Sequence, residues 1–186
     1  MALDTYDPSE ESSLASRRGG LGILLAAQAV IPVVLISVRF LLASESVGPV
    51  NQVLGVLAAV LGLVAAYLGI QARGAASRGE RAGYDSLLGW AVASAVLSIA
   101  LLIVQWIAFY GTGTSPGSPY GEVFYVMSGT WLMYLLIAAF VLFAARVRGR
   151  RVAYGPDNYW DVEAATLFMS FVSLVGVVTY LFLYLI

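Results

Sequence analysis

The stretch VNQVLGVLAAVLGLVAAYLGIQA, Val50–Ala72, decides the fold. It carries no charge over a length that, at about 1.5 Å per residue, crosses the roughly 30 Å hydrocarbon core of a bilayer. Polar and apolar residues do not alternate along it, as they would in a barrel strand, so it reads as a transmembrane helix. Four further runs of the same kind lie around it: Leu21–Ala43, Leu87–Tyr110, Val123–Ala145 and Val162–Ile186. The expected fold is an all-α membrane protein, a bundle of five transmembrane helices over residues 21–186. Pro32 falls inside the first helix, where neighbouring helices can accommodate a kink. Met1–Gly20 is acidic and Ser-rich, with Asp4, Asp7, Glu10 and Glu11. It lacks the basic-then-apolar order of a signal peptide and reads as a flexible tail.

The connections differ in charge. Ser44–Pro49 holds only Glu45, and Gly111–Glu122 is a Gly/Ser/Pro loop without a cation. Arg73–Ser86 holds Arg73, Arg78 and Arg81, and Arg146–Asp161 holds Arg146, Arg148, Arg150 and Arg151. With Arg17 and Arg18, all but one of the ten cations fall on the same side. The positive-inside rule puts that side in the cytoplasm, with the N-terminus inside and Ile186 outside. The exception, Arg39, is expected to snorkel to the outer interface. Tyr84, Trp90, Tyr159 and Trp160 mark the inner boundary, and Trp106, Tyr110, Tyr120, Tyr180 and Tyr184 the outer one, as aromatic belts do.

Composition excludes much chemistry. The chain is 60% hydrophobic and 11% charged, with a net charge of −1, so neither a soluble core nor nucleic-acid attraction is suggested. It has no Cys, which removes disulfides and thiolate metal sites. It has no His, which removes the commonest haem ligand, general base and proton shuttle. All ten cations are Arg, so no lysine Schiff base can form. No carboxylate pair, metal-ligand cluster or nucleotide loop is present. Gly111-Thr-Gly-Thr-Ser-Pro-Gly117 has the wrong order for a phosphate loop and reads as an exposed turn. No catalytic, cofactor-binding or metal-ligating residue is identified.

Two features remain. In the second helix Gly55, Gly62 and Gly69 repeat every seven residues, and Ala58, Ala65 and Ala72 repeat three positions on. This is the a/d spacing of a left-handed helix pair filled with the smallest side chains, so two backbones can approach closely. The neighbour is expected within the bundle rather than in a partner. Ionisable groups inside the spans are the other feature, and they are few. Glu163 enters the last helix after Asp161, with an expected capping and dipole role and Arg150 or Arg151 as partners. Glu122 starts the fourth helix with the same reading. Gln28 and Gln105 are amides at depth that can hydrogen-bond between helices but cannot titrate.

The last helix carries a resemblance. Glu163-Ala-Ala-Thr-Leu-Phe-Met-Ser-Phe-Val-Ser173 resembles the final helix of subunit III of haem-copper oxidases (cytochrome c and quinol oxidases), where Glu-Ala-Ala is followed by an aromatic pair and His-Phe-Val-Asp. Glu163, Phe171 and Val172 match, while Ser170 and Ser173 stand at the His and Asp. The fourth helix, Ser128-Gly-Thr-Trp131-Leu-Met-Tyr134-Leu135, looks like the family's Gly-x-His-Gly-x-His-Val, with Trp131 and Tyr134 at the histidines. The third, Gln105-Trp-Ile-Ala108-Phe109, looks like Gln-x-x-Glu-Tyr, with Ala108 at the Glu. Gln28 falls about where the family has a membrane-embedded acid. The likeness runs over Gly20–Ile186 and matches the five-helix form of the subunit.

This resemblance implies a non-catalytic accessory subunit in a prokaryotic cytoplasmic membrane, stabilising the catalytic subunit I. Haem and copper would sit in partner subunits and none in this chain. Partners would be subunit I, other oxidase subunits and membrane lipids, including bound phospholipid, and no nucleic acid. The lost titrating residues imply that a proton-antenna role is gone or weak. The alternative is a free-standing small transporter or assembly factor. A transporter would be expected to show broken helices and polar groups near the midplane, for which only Pro32, Gln28 and Gln105 offer material.

Overall fold

The computed structural model of the chain describes residues 8–43, 48–112 and 117–186. Five helices are described: α1 (Pro8–Ala43), α2 (Gln52–Ser77), α3 (Arg81–Gly111), α4 (Pro119–Arg151) and α5 (Trp160–Tyr180), the last running on into a π-helical turn at Leu181–Leu185. All five are long and apolar enough to cross a membrane. Their outer faces are apolar too: Leu41 is 82% exposed, Ile23 75% and Phe140 70%. Such a surface suits a multi-pass membrane protein whose solvent is lipid.

The helices extend beyond the apolar runs. α4 has 33 residues, about 50 Å at the helical rise, well over the hydrocarbon thickness. Hydropathy marks only the part of a helix in hydrocarbon, whereas backbone hydrogen bonding continues into the polar flanks. α1 shows the largest difference. It starts at Pro8, so residues 8–20 are helical where the sequence reading has a flexible tail. Met1–Asp7, Glu45 and the tip of the Gly111–Gly117 turn lie outside the described residues.

Local chemistry fixes the ends. The Asn51 side chain accepts from the N–H groups of Val53 and Leu54 at 3.1 and 3.2 Å and caps α2. Ser118 caps α4 by accepting from Gly121 N–H at 3.1 Å, with Pro119 in the first turn. Gly79, at φ 72°, turns the chain from α2 into α3, a left-handed conformation that glycine adopts without steric cost.

α2 packs on α3, α3 on α4, α4 on α5 and α5 back on α2, closing a ring of four. α1 stands outside the ring against α4, α5 and the π turn. Only 6% of its most apolar window is buried, against 28–44% for the other helices. The core inside the ring is continuous, built from Ala58, Ala65, Leu88, Ala95, Trp131, Leu135, Met169 and Val172 among others.

Candidate functional site

The polar side chains fall into three layers along the bundle. The first lies at the arginine-rich end, where α1, α3 and α5 begin and α2 and α4 finish. Glu163 is buried there, its side chain 5% exposed, and two guanidiniums hold it. Arg18 of α1 reaches Oε2 at 2.9 Å and Arg73 of α2 reaches Oε1 at 2.8 Å. These partners replace the expected Arg150 and Arg151. Arg150 instead donates to Asp85 of α3 at 2.8 Å, alongside Arg146 at 3.1 Å. Asp161 pairs with Arg148. Tyr84 donates to the Gly149 carbonyl at 3.0 Å, tying α3 to α4, and Tyr154 of the following loop donates back to the Ala145 carbonyl of α4 at 2.8 Å. In the turn before α3, hydrogen bonds from Arg78 hold the Glu80 carboxyl below the usual carboxylate range, and burial pushes the Tyr154 phenol up.

The second layer lies in the middle of the spans. Gly55, Ala58, Gly62, Ala65, Gly69 and Ala72 are all buried. Gly62 and Gly69 face α5, where Thr166 donates to the Gly69 carbonyl at 3.0 Å and Ser173 to the Gly62 carbonyl at 2.7 Å, while Gly55 faces Tyr184 of the π turn. Ala58 faces α3, and its carbonyl accepts from Ser98 at 2.8 Å. The seam therefore serves two neighbours inside the chain. Small residues let hydroxyl groups reach backbone carbonyls on the facing helix.

Two of the positions on which the resemblance rests meet in this layer. Tyr134 of α4 donates to Gln28 of α1, with its hydroxyl 3.0 Å from Oε1 and 3.2 Å from the backbone carbonyl. The carbonyl of Gln28 is the one that loses its helical donor to Pro32, four residues on. Tyr134 thus supplies the hydrogen bond that the proline removes. The other motif positions scatter. Trp131 is buried against the backbone of Gly176, where a Cβ would lie 2.6 Å from its Nε1, and among the described residues its indole N–H has no acceptor. Ser170 bonds within its own helix, to Thr166, and Ala108 is exposed. Gln105 is buried toward the far end, where its amide can donate to the Asn51 carbonyl at 3.2 Å and accept from Asn51 N–H at 3.0 Å.

The third layer closes the opposite end. Arg39 does not snorkel: it is fully buried. It donates to the carbonyls of Phe182 at 3.3 Å and Ile186 at 3.2 Å, and its guanidinium lies 5.5 Å from the centre of the Tyr120 ring. Tyr120 donates to the Leu183 carbonyl at 2.6 Å and Gln52 to that of Tyr184. The last carbonyls of a helix have no intrahelical donors, and lipid supplies none. Side chains from α1, α2 and α4 take that place, with a cation where the helix dipole is negative. Sequence reasoning missed this group. The available signal was three hydrogen-bond donors, Arg39, Gln52 and Tyr120, at the same end of three helices.

Chemically, the middle layer offers amides, hydroxyls and phenols but no carboxylate. Among the described residues no group of three His, Cys, Asp or Glu is placed to hold a metal ion. The arrangement binds helices to one another. No family model matches the chain, and a search of curated proteins found none that matches.

Proposed function

We propose that this chain is a non-catalytic accessory subunit of a respiratory haem-copper oxidase, related to the five-helix form of subunit III. The observation that carries the reading is the pair Gln28 and Tyr134. The resemblance assigns them separately, to an embedded acid on one helix and a histidine on another, 106 residues apart, and they lie in hydrogen-bond contact. A chance likeness of separate helices gives no reason for these positions to touch. In this reading the chain sits in a prokaryotic cytoplasmic membrane with its arginine-rich end inside. Its role is to stabilise the catalytic subunit and hold lipid along its apolar flanks. Grooves of about 120 and 140 Å³ on the two sides of α1 have almost wholly apolar walls. Electron transfer and oxygen chemistry would belong to haem- and copper-bearing partners.

Purification from native membranes in mild detergent tests this. The expected result is co-purification with a large haem-bearing subunit. Recovery of the chain without any haem protein, monodisperse and active by itself, would overturn the reading and favour a free-standing transporter or assembly factor.

A further inference from the structure

The two halves of α1 are fastened differently. Beyond Pro32, Arg39 is buried and bonded to the π turn, Leu35 and Ile36 join the apolar cluster at that end, and Ala43 is buried. Before Pro32, Leu14, Leu21 and Leu25 are half-buried, as Leu35 and Ile36 are, but they join neither apolar cluster. A Cβ at Gly19, Gly20 or Gly22 would meet nothing within 4 Å. Among the described residues, Arg18 makes the only side-chain polar contact from residues 14–27 to another helix, to Glu163 and Tyr159. Between the halves, the helical ladder is interrupted at Gln28 and Pro32, with Tyr134 bridging the gap.

The contact at the free end is built to let go. Glu163 is buried, and stripping the partner from a lone buried carboxylate is strongly unfavourable. Here Arg73 keeps hold of the other carboxylate oxygen, so the departure of Arg18 leaves no bare charge. Arg18 itself is 49% exposed and passes into water or headgroups. We infer that the first half of α1 is a latched arm: it swings about Pro32 when Arg18 leaves Glu163, while the second half stays fixed. The inference does not depend on the oxidase reading.

The chain has no cysteine, so introduced cysteines label cleanly. Pairs S16C/S86C for the arm and S37C/T112C for the fixed half would carry spin labels. The full chain, with any subunits that co-purify, goes into zwitterionic nanodiscs for distance measurement by pulsed electron resonance. From Ser16 to the hinge is about 24 Å, so a swing of about 20° moves the label by about 8 Å. R18Q should shift most of the arm population to a second distance, and high salt should act on the wild type in the same sense. R73Q should do the reverse, because Glu163 then depends on Arg18 alone. Adding P32A to R18Q should restore a single arm distance by making the helix continuous. The second pair should not move in any of these. An unchanged arm distance in both R18Q and high salt overturns the inference. So does equal displacement of both pairs, or opening by R73Q.

Discussion

The hydroxyl of Ser173 donates to the carbonyl of Gly62 on the facing helix and also to that of Met169 on its own, at 2.7 and 2.9 Å. It ties α2 to α5 at the point where α2 has no side chain. A Cβ at Gly62 would lie 3.8 Å from this oxygen, an ordinary contact, so Gly62→Ala should change stability by less than about 1 kcal/mol. Gly62→Leu has no such room and should destabilise by about 1–3 kcal/mol or prevent assembly. Ser173→Ala should cost about 0.6 kcal/mol, the usual worth of an interhelical bond in a membrane. Thermal unfolding in detergent checks all three, and equal effects of Ala and Leu at position 62 would mean that the seam is not a close approach.

Gly55 is predicted to differ from Gly62. Its added Cβ would stand 2.6 Å from the ring of Tyr184, which is buried and stacked on Tyr180. Gly55→Ala should therefore lower stability by about 1–3 kcal/mol, and Gly55→Ala combined with Tyr184→Leu should recover part of the loss. A double-mutant cycle measures that recovery.

Removing the buried cation should be costlier than removing a surface one. Arg39→Gln leaves the carbonyls of Phe182 and Ile186 short of a donor inside the membrane, a loss of about 1–3 kcal/mol for each group left unmade. Arg81→Gln removes an exposed bond to the Arg150 carbonyl and should cost under about 1 kcal/mol. Tyr120→Phe should fall between them. Hydrogen exchange at the amides of residues 180–186 would report the loosened end directly.

The direction across the membrane has a simple assay. In intact cells a membrane-impermeant thiol reagent should label Ser118→Cys, and should label Ser77→Cys only after permeabilisation. The opposite pattern would place the arginine-rich end outside, against the charge rule.

The five spans are legible because hydrocarbon demands about 20 apolar residues, and no other structure in this chain needs them. The seam is legible because seven-residue spacing of small residues is a geometric requirement. Which helix it faces is not, since Ser173, Thr166 and Ser98 declare themselves as partners only once the helices are placed. Arg39 misleads for a related reason. A lone arginine near a helix end ordinarily reaches the interface, and its acceptors here come from a π turn that residues 181–185 do not advertise. Glu163 is read correctly as sitting in a first turn but is given the wrong arginines. Arg150 is nearer in sequence, yet the packing of α4 on α3 commits it to Asp85.

The position of α1 outside the ring has a consequence for biogenesis. The translating ribosome delivers α1 before the other four, but the cleft that receives it is formed by α4 and α5, which follow α2 and α3 in the chain. Throughout synthesis of some hundred residues, α1 therefore waits in the lipid with Arg39 lacking the carbonyls it is destined to hold.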